Sequence, residues 1–384
     1  MERKKSFALG YSLILHSMLT YLVYGATAVT GLNVIVPAFS NMNGLDQNAV
    51  MAANTIGSFI SAFACLALGK LILFKGIRFT TAVSAIAGGI LGFGLLGFVR
   101  SIVGYAVCTI FIQGTIYGYS WTATNALITN WWPRRKGVIM GITTSGIMLA
   151  SLTLFQLMNV INAKYGFREM VWTVAGIMIL FGIISWLWVR DRPEEVGLHP
   201  DNMPLTEEEK KQAYFKAQSA KAAQAKWPLK EVLRNKHAWL LMVSFGILIM
   251  FASGVGSTTV PFALETGYTQ PQAMAIVSIA SVISIAGSLI TGFMDTKIGV
   301  KFASVISAIW ITVAFLSLLA VPGKFGFWVC LSMAIMTMGA VANLLASLIA
   351  SCFGRDSFTQ LFRIIFTGVY IIRSLVFLIL GGGR

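Results

Sequence analysis

The sequence predicts an all-α membrane protein of about eleven transmembrane helices in two similar bundles. Composition is the first reason: 57% of the 384 residues are hydrophobic and 11% are charged, whereas soluble domains carry about 25% charged residues. Spacing is the second: apolar runs of about 20 residues, long enough to cross a bilayer, recur along the chain. The third is the sidedness of the basic residues, taken up below.

The first run, Ala8–Val36, is long and is expected to tilt or bend near Gly31. Arg3, Lys4 and Lys5 precede it, and Ala26-Thr27-Ala28 loosely resembles a signal-peptidase site. The run exceeds the usual apolar region of a signal peptide, so it is read as a retained span. Next come Ala49–Leu68, Phe79–Val99, Gly104–Asn130, Gly137–Ile161 and Met170–Val189. A polar stretch from Arg190 to Lys236 interrupts the series. Within it, Thr206 with Glu209 reads as a capping box, and Glu207 with Lys211 as a favourable i,i+4 pair at the start of a solvated helix. The second set is His237–Pro261, Gln272–Met294, Phe302–Val321, Phe325–Ser351 and Ile364–Leu380. The predicted organisation is residues 1–189, a linker at 190–236, and residues 237–384 with a twelfth helix missing.

Charge tests this map. With the N-terminus in the cytoplasm, about 23 of the 29 basic residues fall in inside loops, as the positive-inside rule requires. A one-span shift would destroy that segregation. A net charge of +15 would suggest nucleic acid in a soluble protein. Here the cations sit in short loops and set topology, so the expected partners are the bilayer and a small solute, with no nucleic acid. A multi-pass protein of the plasma membrane is expected, working as a monomer. Cys65, Cys108, Cys330 and Cys352 show no metal-ligand spacing, and no cofactor or metal is expected. No nucleophile, base and orienter cluster is visible, so an enzyme is not expected.

Arg373 stands in the middle of the last apolar run. A cation there costs roughly 2.5–3.5 kcal/mol on insertion scales and is by default a functional-site hypothesis; the alternative is a structural Arg paired inside the bundle. Around it on the same span lie Thr367 and Tyr370. Span one offers His16, Thr20, Tyr24 and Thr27 on one helical face, and span four offers Gln113 and Tyr117. Ser, Thr and Asn in spans also serve as packing glue, and His16 could equally be a neutral hydrogen-bond partner between helices. No Asp or Glu lies deep in a span, which argues against a carboxylate proton relay. A positively charged cavity suits an anion, and Arg matches a carboxylate bidentately.

The loops after the second span of each half repeat a pattern. Gly69-Lys70-Leu71-Ile72-Leu73-Phe74-Lys75-Gly76-Ile77-Arg78 aligns with Gly292-Phe293-Met294-Asp295-Thr296-Lys297-Ile298-Gly299-Val300-Lys301. Both resemble the signature loop of the major facilitator superfamily, usually Gly-x-Leu-x-Asp-Arg-x-Gly-Arg-Arg. The usual Asp position holds Leu73 in the first copy and Thr296 in the second, with Asp295 one place early. The stretches Trp131–Ile142, Arg190–Asp201 and Trp227–Leu241 look like segments of the oxalate/formate antiporter and monocarboxylate transporter branch. The resemblance implies two helical bundles that rock around a midplane site, with gating by Gly69, Gly76, Arg78, Gly292, Asp295, Gly299 and Lys301. It also implies a basic residue in span eleven, which Arg373 matches. The branch's second basic residue, in span eight, has no counterpart here, which favours a monocarboxylate over oxalate. The expected function is secondary transport of a small organic anion, by antiport or symport. Two alternatives stay open: a carrier of a neutral or cationic solute, and a non-transporting membrane sensor or truncated carrier.

Overall fold

The computed structural model describes residues 2–204, 227–320 and 323–381. The linker helix expected around Thr206–Lys226, with its capping box and its Glu207–Lys211 pair, lies outside them. Among the described residues, nine helices are long and apolar enough to cross a membrane, or ten if the bent pair Gln47–Ser61 and Ala64–Lys75 is one span. The tenth predicted run forms one helix, Gly323–Phe353, whose two ends, Gly323–Thr337 and Asn343–Phe353, are apolar. The apolar runs thus all become helix, although fewer than eleven meet the length and hydropathy of a span.

The first span runs farther than its hydropathy suggests, over Ala8–Asn43. It breaks where expected: the helix Glu2–Ala28 ends just before Gly31, and Leu32–Asn43 resumes after it. The second span bends by 40° between Ser61 and Ala64. Spans three to six are Ile77–Gly94, Ile102–Trp131, Lys136–Tyr165 and Phe167–Trp188. Spans seven, eight, nine and eleven are the helices Lys236–Glu265, Gln270–Ile298, Val300–Ala320 and Phe358–Gly381.

Two spans contain π-helical turns, Gly88–Gly94 in span three and Tyr117–Trp121 in span four. π turns leave a helix locally wider and recur at functional sites. The polar linker is not wholly irregular. Leu198–His199 pairs antiparallel with Met203–Pro204 around Asp201 and Asn202, both at positive φ. This small hairpin docks on the loop before span five, where Asp201 Oδ1 accepts from the Arg134 amide at 3.3 Å.

Span five packs on spans one and eight, span eleven on spans two and seven, and span ten on spans five and eight. The first six spans therefore meet the last five along two seams: five against eight and two against eleven. Much of the buried core is apolar, as a lipid-facing bundle needs, but helix-to-helix contact in a membrane depends on close backbone approach and interhelical hydrogen bonds. The five–eight seam shows both. A Cβ on Gly141 would lie 2.7 Å from the Ser288 carbonyl. Thr144 and Ser288 share a hydroxyl bond of 2.8 Å, and Asn343 Nδ2 of span ten donates to Ser288 Oγ at 3.0 Å.

Candidate functional site

A partly open cavity of about 80 Å³ lies between the two groups of spans. Tyr24, Val29, Trp121, Ile147 and Met148 form one wall; Ile249, Ala252, Ser253, Val341, Phe366, Tyr370 and Arg373 form the other. Span eleven carries Phe366, Tyr370 and Arg373 at spacings of four and three, so they share a face. The π turn of span four ends on Trp121 and begins on Tyr117. That turn lies against span three, where a side chain on Gly118 would collide with Ser84.

Arg373 is held from two directions. Its Nε donates to Ser253 Oγ at 2.9 Å, and its guanidinium lies over the Tyr370 ring, 4.6 Å from the centroid. Stacking on an aromatic face is a favourable site for a guanidinium. Tyr24 and Tyr117 also lie near the guanidinium. The rings are in mutual contact: Tyr117–Tyr370 at 5.3 Å, Tyr24–Trp121 at 5.4 Å and Trp121–Phe366 at 5.1 Å between centroids. None of the described residues lining this cavity is acidic.

The expected site residues divide. Arg373, Tyr370 and Tyr24 come together on the cavity wall, and Tyr117 stands directly behind Tyr370. His16 does not join them. Its Nε2 bonds Ser185 Oγ at 2.9 Å and its ring stacks on Phe181, both in span six. Thr20 returns its hydroxyl to the His16 carbonyl at 2.9 Å. Gln113 is buried in span four, one turn before Tyr117. Thr367 lies on the two–eleven seam, with its hydroxyl on the Arg363 carbonyl and within 3.5 Å of the Ala62 carbonyl. Trp121, Phe366 and Ser253 are cavity residues the sequence reading did not single out.

One end of the bundle is closed, and the expected gating residues gather there. Arg363 donates to the Leu66 carbonyl at 3.1 Å and its side chain covers Gly69. Gly292 faces Gly137, where an added Cβ would lie 2.5 Å from the Gly137 carbonyl oxygen. Gly76 and Gly299 both adopt positive φ, at 89° and 86°, in backbone conformations that glycine alone enters readily. Each turns the chain into the next span. Arg78 lies over the Trp186 ring at 4.7 Å and donates to its carbonyl. Asp295 is buried beside Gly137 and within reach of the Lys136 charge. Lys301 is exposed at the start of span nine.

Three ties at this end were not anticipated. Asp191 accepts from the Ile77 and Arg78 amides at 2.8 and 2.7 Å, so it caps span three. Burial pushes its carboxyl above the usual range, against the pull of those two amides. Burial also raises Glu195, and the neighbouring Asp191 charge adds to this. Arg355 grips Glu194 with both terminal nitrogens at 3.1 Å, and Arg192 lies 3.5 Å from Asp356. These pairs join the segment after span six to the loop before span eleven. Partners so far apart in the chain give no signal in linear spacing.

Two groups of membrane-length helices thus meet around a shared cavity. The chain belongs to the major facilitator superfamily, whose family model matches residues 107–376. No curated protein sequence matches it. Among solved structures, the proton:xylose symporter XylE bound to 6-bromo-6-deoxy-D-glucose is 16% identical with a TM-score of 0.74, covering 96% of this chain and 87% of that one. XylE from E. coli in a partially occluded inward open conformation is 16% identical with a TM-score of 0.64, covering 96% and 90%. The human organic anion transporter MFSD10 (TETRAN) is 13% identical with a TM-score of 0.66, covering 98% and 92%. At these identities the likeness concerns the fold. The chain is thus a major facilitator transporter, a multi-pass membrane protein that works by alternating access.

Proposed function

We propose that the chain carries a small organic anion of monocarboxylate type, with Arg373 as the cation that receives the carboxylate. One observation carries this reading: a guanidinium lies on the cavity wall and no described lining residue is acidic. Such a cavity is one negative charge short of neutrality when empty, and a bound carboxylate supplies it. The Ser253 bond occupies Nε, while an end-on carboxylate is gripped by the two terminal nitrogens. Tyr24, Tyr117 and Tyr370 surround the charge from spans one, four and eleven, so closing either half around the site alters its setting. The wider assignment has Gly69, Gly76, Arg78, Gly292, Asp295, Gly299 and Lys301 in the moving seams. His16, Thr20, Gln113 and Thr367 act in packing around the pathway instead of contacting the solute.

Purified protein in liposomes, offered labelled monocarboxylates, oxalate and xylose, tests the reading. Saturable monocarboxylate uptake, blocked by other monocarboxylates and indifferent to xylose, is expected. Xylose uptake that carboxylates do not inhibit would refute it.

A further inference from the structure

The chemistry of the cavity wall goes further than a charge. We infer that the solute is an aryl or arylalkyl monocarboxylate, a carboxylate joined to a flat apolar body. This deepens the anion-carrier reading and rests on it.

Away from Arg373 the wall is apolar. Trp121 and Phe366 lie with ring centroids 5.1 Å apart at a tilt of 34°, one from each group of spans. Tyr24 meets the same indole edge-on at 73°, and Tyr370 stands 5.3 Å from Phe366. Apart from Ser253, which bonds Arg373, the remaining described lining is apolar, including Ile147, Ile249 and Val341. Aromatic rings favour offset or edge-to-face partners at such separations. A planar ring entering here gains those contacts in addition to its transfer from water.

The same wall excludes the obvious rivals. A sugar brings several hydroxyls, and each one buried without a partner is penalised. The hydroxyl and indole groups on the wall are too few to meet them. A bare small acid such as acetate fits the guanidinium but leaves the rings unused. The Trp121 Nε1 is a buried donor without a hydrogen-bond partner in good geometry, beside the Tyr24 hydroxyl. A carboxylate oxygen or a ring substituent on the solute can take that donor. The π turn that ends on Trp121 is the local feature that carries this ring to the wall.

The test is equilibrium binding to the purified full chain in detergent, with acetate, phenylacetate and phenethyl alcohol as probes. Phenylacetate is expected to bind at least tenfold more tightly than acetate, about 1.4 kcal/mol, and to outcompete it. Trp121→Ala is expected to shrink that ratio toward one. Acetate binding as tightly as phenylacetate in the unaltered chain would overturn the aryl inference and leave the anion reading intact. Phenethyl alcohol binding as tightly as phenylacetate would overturn the anion reading itself. The unaltered chain decides both points even if Trp121→Ala fails to fold.

Discussion

Gly69 lies under Arg363, so close that a Cβ added to Gly69 would stand 2.5 Å from the Arg363 Cβ. The other copy of the signature loop repeats this across the opposite seam. Gly292 faces the Gly137 carbonyl at the same 2.5 Å from its hypothetical Cβ. The first glycine of each loop copy is therefore a contact point between the two groups of spans. The expected consequence is that Gly292→Ala opens this end, because backbone cannot move aside as a side chain can. Overpacking costs about 1–3 kcal/mol, which shifts the closed population roughly 5- to 150-fold. Spin labels at positions 75 and 297 should move apart. Gly69→Ala should do less, since the Arg363 side chain can yield. An unchanged distance distribution in Gly292→Ala would rule out the seam as a steric stop.

Glu194 and Arg355 make a bidentate pair, each about one-fifth exposed. Hydrogen bonds to charged groups contribute about 1.5–3 kcal/mol. A double-mutant cycle with Glu194→Gln and Arg355→Gln should give a coupling near the lower end of that range, because the pair is partly solvated. Each single variant should also speed opening at this end. Strictly additive effects on melting temperature would show that the pair contributes nothing.

Asp191 caps span three by accepting one amide on each carboxylate oxygen, and an Asn there offers a single acceptor oxygen, with its NH₂ facing the other amide. Asp191→Asn should cost part, and Asp191→Ala most, of a cap contribution of about 0.5–2 kcal/mol. Thermal unfolding ranks the three chains. Equal stability of Asp191→Ala and the unaltered chain would contradict the capping role.

The basic residues Arg78 and Arg355, on the inside in the charge map, lie at one end of the bundle with Asp191 and Glu194. Lys324, on the outside in that map, lies over the Tyr268 ring at 4.5 Å. Reporter fusions in the loop at Gly354 should therefore read cytoplasmic, and fusions at Lys324 external. Both sites reading the same side would overturn the span map.

Much of this was legible before any coordinates. Apolar run length gave the helices, and a charge inside a span singled out Arg373. The His16, Thr20, Tyr24 series illustrates the limit. Each step of four residues overshoots a helical turn by about 40°, so two steps rotate His16 away from Tyr24 and onto span six. Thr367 shares the span of Arg373 but sits about 9 Å nearer the closed end, where span two covers it. Trp121 and Phe366 read as core because an aromatic ring facing a cavity has the same hydropathy as one facing a helix. The π turn before Trp121 changes the face on which it falls, and residue spacing cannot reveal that. Glu194 with Arg355 and Asp191 with Arg78 are tertiary pairings, set by how the seams close.

The most direct test of the central claim is carboxylate binding per folded molecule in Arg373→Gln. Gln retains hydrogen-bonding capacity and removes the charge. Losing a desolvated charge-assisted contact costs about 2–5 kcal/mol, which is about thirtyfold or more in affinity. Arg373→Lys should fall between, keeping a point charge without the fork. The account predicts that folded Arg373→Gln protein loses phenylacetate binding by at least that factor. Unchanged affinity in correctly folded Arg373→Gln protein would contradict it.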